Sequence, residues 1–288
     1  MDNLKHALRI LCRRNRDGSH ATQGDRLRSL SLIADELREV GFPNMLVTSL
    51  QRRHVDALVH RWQARGLSAG TQKNRLAHLR WWAEKIGRGG EIPASSAELG
   101  VPERRFVTNE NKARELNDGD LNKISDPHVR MSLVLQQLFG LRREESIKFQ
   151  PRYADRGDYI VLKHSWTKGG RERAIPIINA EQRAALDQAH KLAGAGSLIP
   201  PNRSYVEQRN IYDGQCKAAG LSSMHGLRHH YAQMKYEALT GSKCPAAGGQ
   251  PKCLLSPAQR MLDALAREVI SNELGHDRPQ ITAVYLGR

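Results

Sequence analysis

Through the first ninety positions apolar residues recur every three or four residues, a period that belongs to helices. Four helices are predicted there. Residues 3–14 place Leu4, Ala7, Leu8, Leu11 and Cys12 on one face. After Asp17-Gly18-Ser19 a second helix, 22–40, turns Leu27, Leu30, Ile33, Ala34 and Leu37 inward, and Gly41-Phe42-Pro43 ends it. A third, 51–65, buries Val55, Leu58, Val59 and Trp62 and is closed by Gly66. Ser68 suits an N-cap for a fourth, 69–86, with Leu76, Leu79 and Trp82 inward. Trp62, Trp81 and Trp82 read as core, not as stacking surfaces.

The period then breaks. GRGGEIPASSAELGVPERR lacks helical spacing and is rich in Gly, Pro and Ser, so residues 91–115 are expected to link a domain at 1–90 to one at 116–288. In the second domain Asp118 or Asp120 is expected to cap a short helix. Residues 127–140 predict a buried helix carrying Met131, Val134, Leu135, Leu138 and Phe139. DYIVLKHSW and RERAIPII alternate or run β-branched around Thr167-Lys168-Gly169-Gly170, which predicts a β-hairpin. Helices follow at 180–192, 204–219, 224–239 and 257–273. Near the C-terminus Pro279 can open a helix, and Ile281, Val284 and Tyr285 recur at helical spacing. The fold class is therefore mainly α with a small antiparallel β-sheet, a four-helix domain preceding an α+β one.

Charge changes the picture. The chain carries 45 Lys and Arg against 30 Asp and Glu, a net +15, which points to a polyanionic partner, most simply nucleic acid. A merely soluble basic protein or a membrane-surface binder is the alternative. Residues 1–90 hold 17 basic and 8 acidic side chains, so +9 of the +15 lies in the first domain. Arg52, Arg53, Arg61, Lys73, Arg75 and Arg80 are its candidate phosphate contacts, although charged helix faces are usually just solvated. No apolar run reaches the ~18 residues that a membrane helix needs. The amphipathic N-terminus is not a secretory signal. Cys12, Cys216, Cys244 and Cys253 show no metal-type spacing, and a reducing cytoplasm with free thiols fits them. Zinc on Cys244 and Cys253 is a weak alternative.

Candidate chemistry comes from six positions and a supporting seventh. Arg142 follows the buried helix in a Gly-Leu-Arg turn, with Glu145 three residues on. Lys168 occupies the hairpin tip. His225 and Arg228 are spaced i, i+3 and share a helix face. His276 follows Leu274-Gly275 at a helix end, and Tyr285 comes nine residues later. Each alone has a bland reading as a solvated charge or a satisfied polar residue.

In order, GLRREE, TKGGRER followed by IP, HGLRH, LGH and the late tyrosine resemble the tyrosine recombinases, or phage integrases, over almost the whole chain. The resemblance implies a SAM-like core-binding domain at 1–90 and a recombinase catalytic domain at 116–288. It also implies a site-specific DNA recombinase, metal-independent and without a cofactor, that acts as a homotetramer on double-stranded DNA through a Holliday junction. Tyr285 would attack the scissile phosphate, leaving a 3′-phosphotyrosyl link and a 5′-hydroxyl. Arg142 and Arg228 would bind the phosphate, His225 would serve as acid or base, and Lys168 would protonate the leaving oxygen. His276 would hydrogen-bond the phosphate, and Glu145 would orient the site. The chemistry of the residues agrees: guanidinium forks stay charged and suit non-bridging phosphate oxygens, while a phenol needs a base or nearby cations to become a nucleophile.

A mobile element or prophage is the expected setting, in the bacterial cytoplasm at the nucleoid, with DNA-bending proteins as possible accessories. A type IB topoisomerase-like nicking and rejoining enzyme, or a catalytically idle DNA-binding relative, are the alternatives. Two features depart from the family's pattern. Between Arg228 and His276 lie 47 residues, about twice the usual number, with the excess around 240–262 expected as a surface excursion. Only Leu286, Gly287 and Arg288 follow Tyr285, so a docking tail is expected to be missing or truncated. No additional arm-binding domain is expected at the N-terminus.

Overall fold

The computed structural model describes residues 3–167, 169–276 and 278–288, which divide into two compact units, Met1–Arg105 and Phe106–Arg288. The hairpin-tip lysine, Lys168, lies outside the described residues.

The first unit holds the four expected helices, α1 (Asn3–Arg14), α2 (His20–Glu39), α3 (Arg52–Ala64) and α4 (Ala69–Lys85). Ser68 caps α4 by accepting from the Thr71 N–H. Leu8, Leu30, Ile33, Leu37, Leu58, Trp62, Leu76 and Trp82 are fully buried between the helices. Buried indoles keep a polar partner. Trp62 Nε1 donates to Glu36 at 2.7 Å and Trp82 Nε1 to the Val47 carbonyl at 2.8 Å. Of the stretch expected as a linker, residues up to 105 fold with this unit, because Ile92, Leu99 and Val101 bury their side chains in its core.

The second unit follows with α5 (Asp118–Asn122), α6 (Pro127–Phe139), α7 (Arg143–Ile147), α8 (Pro151–Ala154), β1 (Tyr159–Leu162) and β2 (Arg173–Pro176). Then come α9 (Ala180–Ala193), α10 (Tyr205–Ala218), α11 (Gly226–Thr240), α12 (Pro257–Leu274) and α13 (Ala283–Leu286). Asn117, not Asp118 or Asp120, caps α5: its side chain accepts from the Asp120 N–H, which leaves both aspartates within the first turn. The strands pair antiparallel in the register Tyr159↔Pro176 to Leu162↔Arg173.

Two cores flank α6 and α11. Val129 and Leu133 of α6 pack with Tyr212 and Leu227, while Leu135 and Phe139 pack with Leu162, Ile175, Tyr231, Ile270, Leu274 and Leu286. A helix apolar on two faces can only be central. The C-terminal end of α6 and the N-terminal start of α11 are thereby fixed.

The excess sequence between α11 and α12 is not all surface excursion. Cys244 and Ala246 sit in the same core as Leu286, and burial pushes the Cys244 thiol pKa up. These side chains are small and apolar enough to pack there. The chain on either side of them is exposed, at Gly241, Ser242 and Lys243 before and at Cys253 and Leu254 after. Among the described residues no group of three or more His, Cys, Asp or Glu side chains could hold a metal ion, and no helix is long and apolar enough to cross a membrane.

Candidate active site

Helix ends build the site. α6 stops at Gly140, whose φ of 62° suits glycine and whose Cβ, if it had one, would lie 2.5 Å from the Tyr231 ring. The chain then turns through Leu141 and Arg142 into α7. Arg142 precedes α7, and Glu145 in its first turn reaches back: the Arg142 N–H donates to Oε2 at 2.7 Å and Nη1 to Oε1 at 2.8 Å.

Arg228, in the first turn of α11, is fully buried. Its Nη1 donates to the Gly140 carbonyl and its Nη2 to the Leu274 carbonyl, so one guanidinium caps the C-terminal ends of α6 and α12. Its Nε donates to Tyr285 Oη at 3.3 Å. Burial, with Arg142 and Arg173 nearby, lowers the Arg228 pKa to about 10, and at neutral pH it stays charged.

Tyr285 is buried on α13, with its backbone carbonyl accepting from Gln233 Nε2 at 3.3 Å. The preceding segment, expected as one helix from Pro279, is a 3₁₀ turn (Pro279–Thr282) followed by the single turn α13. The phenol oxygen lies 3.2 Å from His225 Nε2. His229 and His276 flank the ring, with centroids at 4.5 and 5.2 Å, the latter stacked at 24°. His276 Nδ1 pairs with Thr282 Oγ1 at 3.0 Å, and its Nε2 is buried without a hydrogen-bond partner.

The electrostatics are lopsided. Burial of Glu145 alone would raise its pKa, but the hydrogen bonds and charge of Arg173, with Arg228 and Arg142, pull it down to about 2. Burial, with Arg228 and Arg142, lowers His225 to about 4, and burial with Arg228, Arg142 and Arg173 lowers His276 to about 3. His229 falls to about 4 through burial, then His225 and Lys112. At neutral pH the cluster therefore holds three guanidiniums, one carboxylate and three uncharged imidazoles. That surplus of positive charge among side chains as buried as Arg228, Arg173 and Tyr285 calls for an anion.

Of the positions singled out in the sequence, Arg142, Glu145, His225, Arg228, His276 and Tyr285 are brought together. The sequence reading missed Arg173, which binds both Glu145 oxygens at 3.0 and 2.6 Å, and His229. Both carried a signal. Arg173 shares the inward register of β2 with Ile175, so the period-2 rule aims a charge at the core. His229 is i+4 from His225 and on the same helix face.

The candidate phosphate contacts of the first unit separate into two groups. Arg61 is paired with Glu39, Arg75 with buried Glu36 at 2.8 Å, and Arg80 with the Pro93 carbonyl at 3.0 and 2.9 Å. These three are tied to the unit's own partners because they sit at the edges of its core. Arg52 pairs with Asp56 at 2.7 Å on the surface. Arg53 is exposed and Lys73 half-buried, each without an ion pair among the described residues.

Residues 1–90 match the family profile described as phage integrase, N-terminal, and residues 104–234 the profile described as integrase. No curated protein sequence matches the chain. Among solved structures it is similar to a lambda integrase tetramer bound to a Holliday junction, at 17% identity over 99% of this chain and 77% of that one, TM-score 0.62. The Tn1549 transposon integrase in complex with circular intermediate DNA matches at 14% identity over 100% and 96%, TM-score 0.56. The XerH site-specific recombinase bound to palindromic difH substrate matches at 14% over 99% and 81%, TM-score 0.60. At these identities the likeness is one of fold.

Proposed function

The chain belongs to the tyrosine recombinase, or phage integrase, family, and from that premise we propose that it cleaves and rejoins double-stranded DNA at specific sites through Tyr285. One observation carries the reading: Tyr285 Oη lies within hydrogen-bond reach of both His225 Nε2 and Arg228 Nε, in a cluster with more guanidiniums than carboxylates.

A phosphodiester repels nucleophiles through its own negative charge, so neutralisation supplies much of the catalysis. Arg142 and Arg228 provide it. Arg228 also lies against the phenol oxygen, where it stabilises the negative charge that grows as the proton leaves. His225 is uncharged at neutral pH and can accept that proton. The Tyr285 oxygen then bonds to phosphorus, the bond from phosphorus to the 5′-oxygen breaks, and Lys168 gives that oxygen its proton. In the tautomer in which the Thr282 hydroxyl donates to His276 Nδ1, the unpartnered His276 Nε2 carries the hydrogen and can donate it to a phosphate oxygen. Attack of a second strand's 5′-hydroxyl on the 3′-phosphotyrosyl link rejoins the DNA, and no external energy source is required. A homotetramer on two duplexes and a role in moving an integrating element belong to the same proposal.

A suicide substrate nicked near the target site tests it. A protein–DNA adduct that survives denaturation is expected with the wild type and not with Tyr285→Phe. An adduct undiminished in Tyr285→Phe would sink the proposal, as would none with the wild type.

A further inference from the structure

We propose that Arg173 is a positioning residue for this cleavage site, locking the Arg142–Glu145 pair to the end of the helix that leads to His276. The proposal rests on the recombinase reading and deepens it. Arg173 opens β2, where the connection carrying Lys168 ends. Its two terminal nitrogens grip both Glu145 oxygens at 3.0 and 2.6 Å, and its Nε donates to the Glu273 carbonyl at 2.8 Å. One side chain therefore ties together segments 28 and 100 residues away from it.

Several features separate this arrangement from a generic buried ion pair. The side chains of Arg173 and Glu145 are 5% and 0% exposed, and a pair so buried gains little over apolar residues of similar size. Its value is therefore geometric. The planar fork fixes the plane of the Glu145 carboxylate, whose remaining lone pairs take the Arg142 N–H and Nη1. With its acceptor positions filled, Glu145 can hold the Arg142 guanidinium in a single direction.

The other end is equally specific. Arg173 takes the Glu273 carbonyl and Arg228 the adjacent Leu274 carbonyl, so two arginines share the last turn of α12. The stem of Arg173 lies against the turn into His276: a Cβ on Gly275 would stand 2.9 Å from its Cδ. Arg173 itself is buried behind Glu145, so it acts through the groups that meet the phosphate.

The test compares Arg173→Gln, Arg173→Lys, Glu145→Gln and the Glu145→Gln/Arg173→Gln double variant. Adduct formation on the nicked substrate is followed at saturating protein, alongside DNA affinity and thermal melting. Arg173→Gln is expected to slow adduct formation about 100-fold while affinity changes less than about threefold, because misplacement hits the transition state harder than binding. Arg173→Lys should recover only part of the rate, since an ammonium cannot occupy both Glu145 oxygens. The double variant should be no slower than the slower single variant, as expected for two residues in one linkage.

A folded Arg173→Gln at wild-type rate would overturn the assignment. So would Arg173→Lys at full wild-type rate, additive effects in the double variant, or an affinity loss as large as the rate loss. Should Arg173→Gln fail to fold, Arg173→Lys carries the comparison. A wild type that forms no adduct sinks the recombinase reading itself, whereas an active wild type with equally active Arg173 variants sinks only this assignment.

Discussion

Arg228 Nε and Tyr285 Oη meet at 3.3 Å, 57 residues apart in the chain and on helices that join only through the second unit's core. The same guanidinium is bolted to the Gly140 and Leu274 carbonyls. The tyrosine is thus set against a cation that cannot swing away, and four predictions build on this site and on the first unit.

Arg228→Ala should destabilise the second unit as well as abolish cleavage. Removing the guanidinium leaves two buried helix-end carbonyls without donors, at about 1–3 kcal/mol each. Urea unfolding should show the midpoint moving down. Arg228→Lys should retain more stability than the alanine variant and still cleave poorly, because one ammonium cannot reach three acceptors in the fork's geometry. An unchanged unfolding midpoint in Arg228→Ala would contradict the capping role.

Gly140→Ala should cost more than the left-handed conformation alone. That conformation costs a residue with a Cβ about 1–2 kcal/mol. Here the added carbon would also stand 2.5 Å from the Tyr231 ring and 3.1 Å from Leu274, in the core that holds the site. Thermal melting measures the stability loss, and adduct formation should fall with it as the Gly140 carbonyl shifts away from Arg228.

Acid should loosen the second unit before it discharges Glu145. His225 and His229 fall to about 4 and His276 to about 3 from an ordinary 6.5. Each unfolded imidazole therefore binds a proton more readily than the folded one. Their contribution is fully present above pH 6.5 and is lost as pH falls through that value towards 4 and 3. Glu145, held at about 2 against an ordinary 4.5, adds a second loss below 4.5. Melting temperature should thus decline progressively below pH 6.5. A melting temperature that stays flat from neutrality to pH 4 would contradict the burial of these uncharged rings.

The basic side chains of the first unit should divide by measurement as they do by position. Arg53→Ala or Lys73→Ala should leave melting unchanged and lower the salt slope of DNA binding by about one each, the signature of a phosphate contact. Arg75→Ala should instead lower the melting temperature, since it removes a partner from buried Glu36 and a cation 5.3 Å from the Trp62 ring. Salt-dependent binding and melting curves on the same variants make the distinction.

The sequence by itself determined the helices and much of the site's membership. Apolar spacing located α1 to α4, α6 and α9 to α12, because a helix must turn a stripe inward wherever it packs. Spacing within single elements gave His225 with Arg228 and Arg142 with Glu145. Tertiary structure alone decided the rest. It put the Pro279–Thr282 segment in a 3₁₀ turn, and packed Cys244 and Ala246 against Leu286 where a loose loop was expected. It also turned Arg75 and Arg80 to internal partners and brought Arg173 to Glu145. These outcomes depend on contacts between distant segments, in which a charge's partner is set by what the core leaves beside it. Local periodicity records which way a side chain faces; only the packed chain fixes what it meets there.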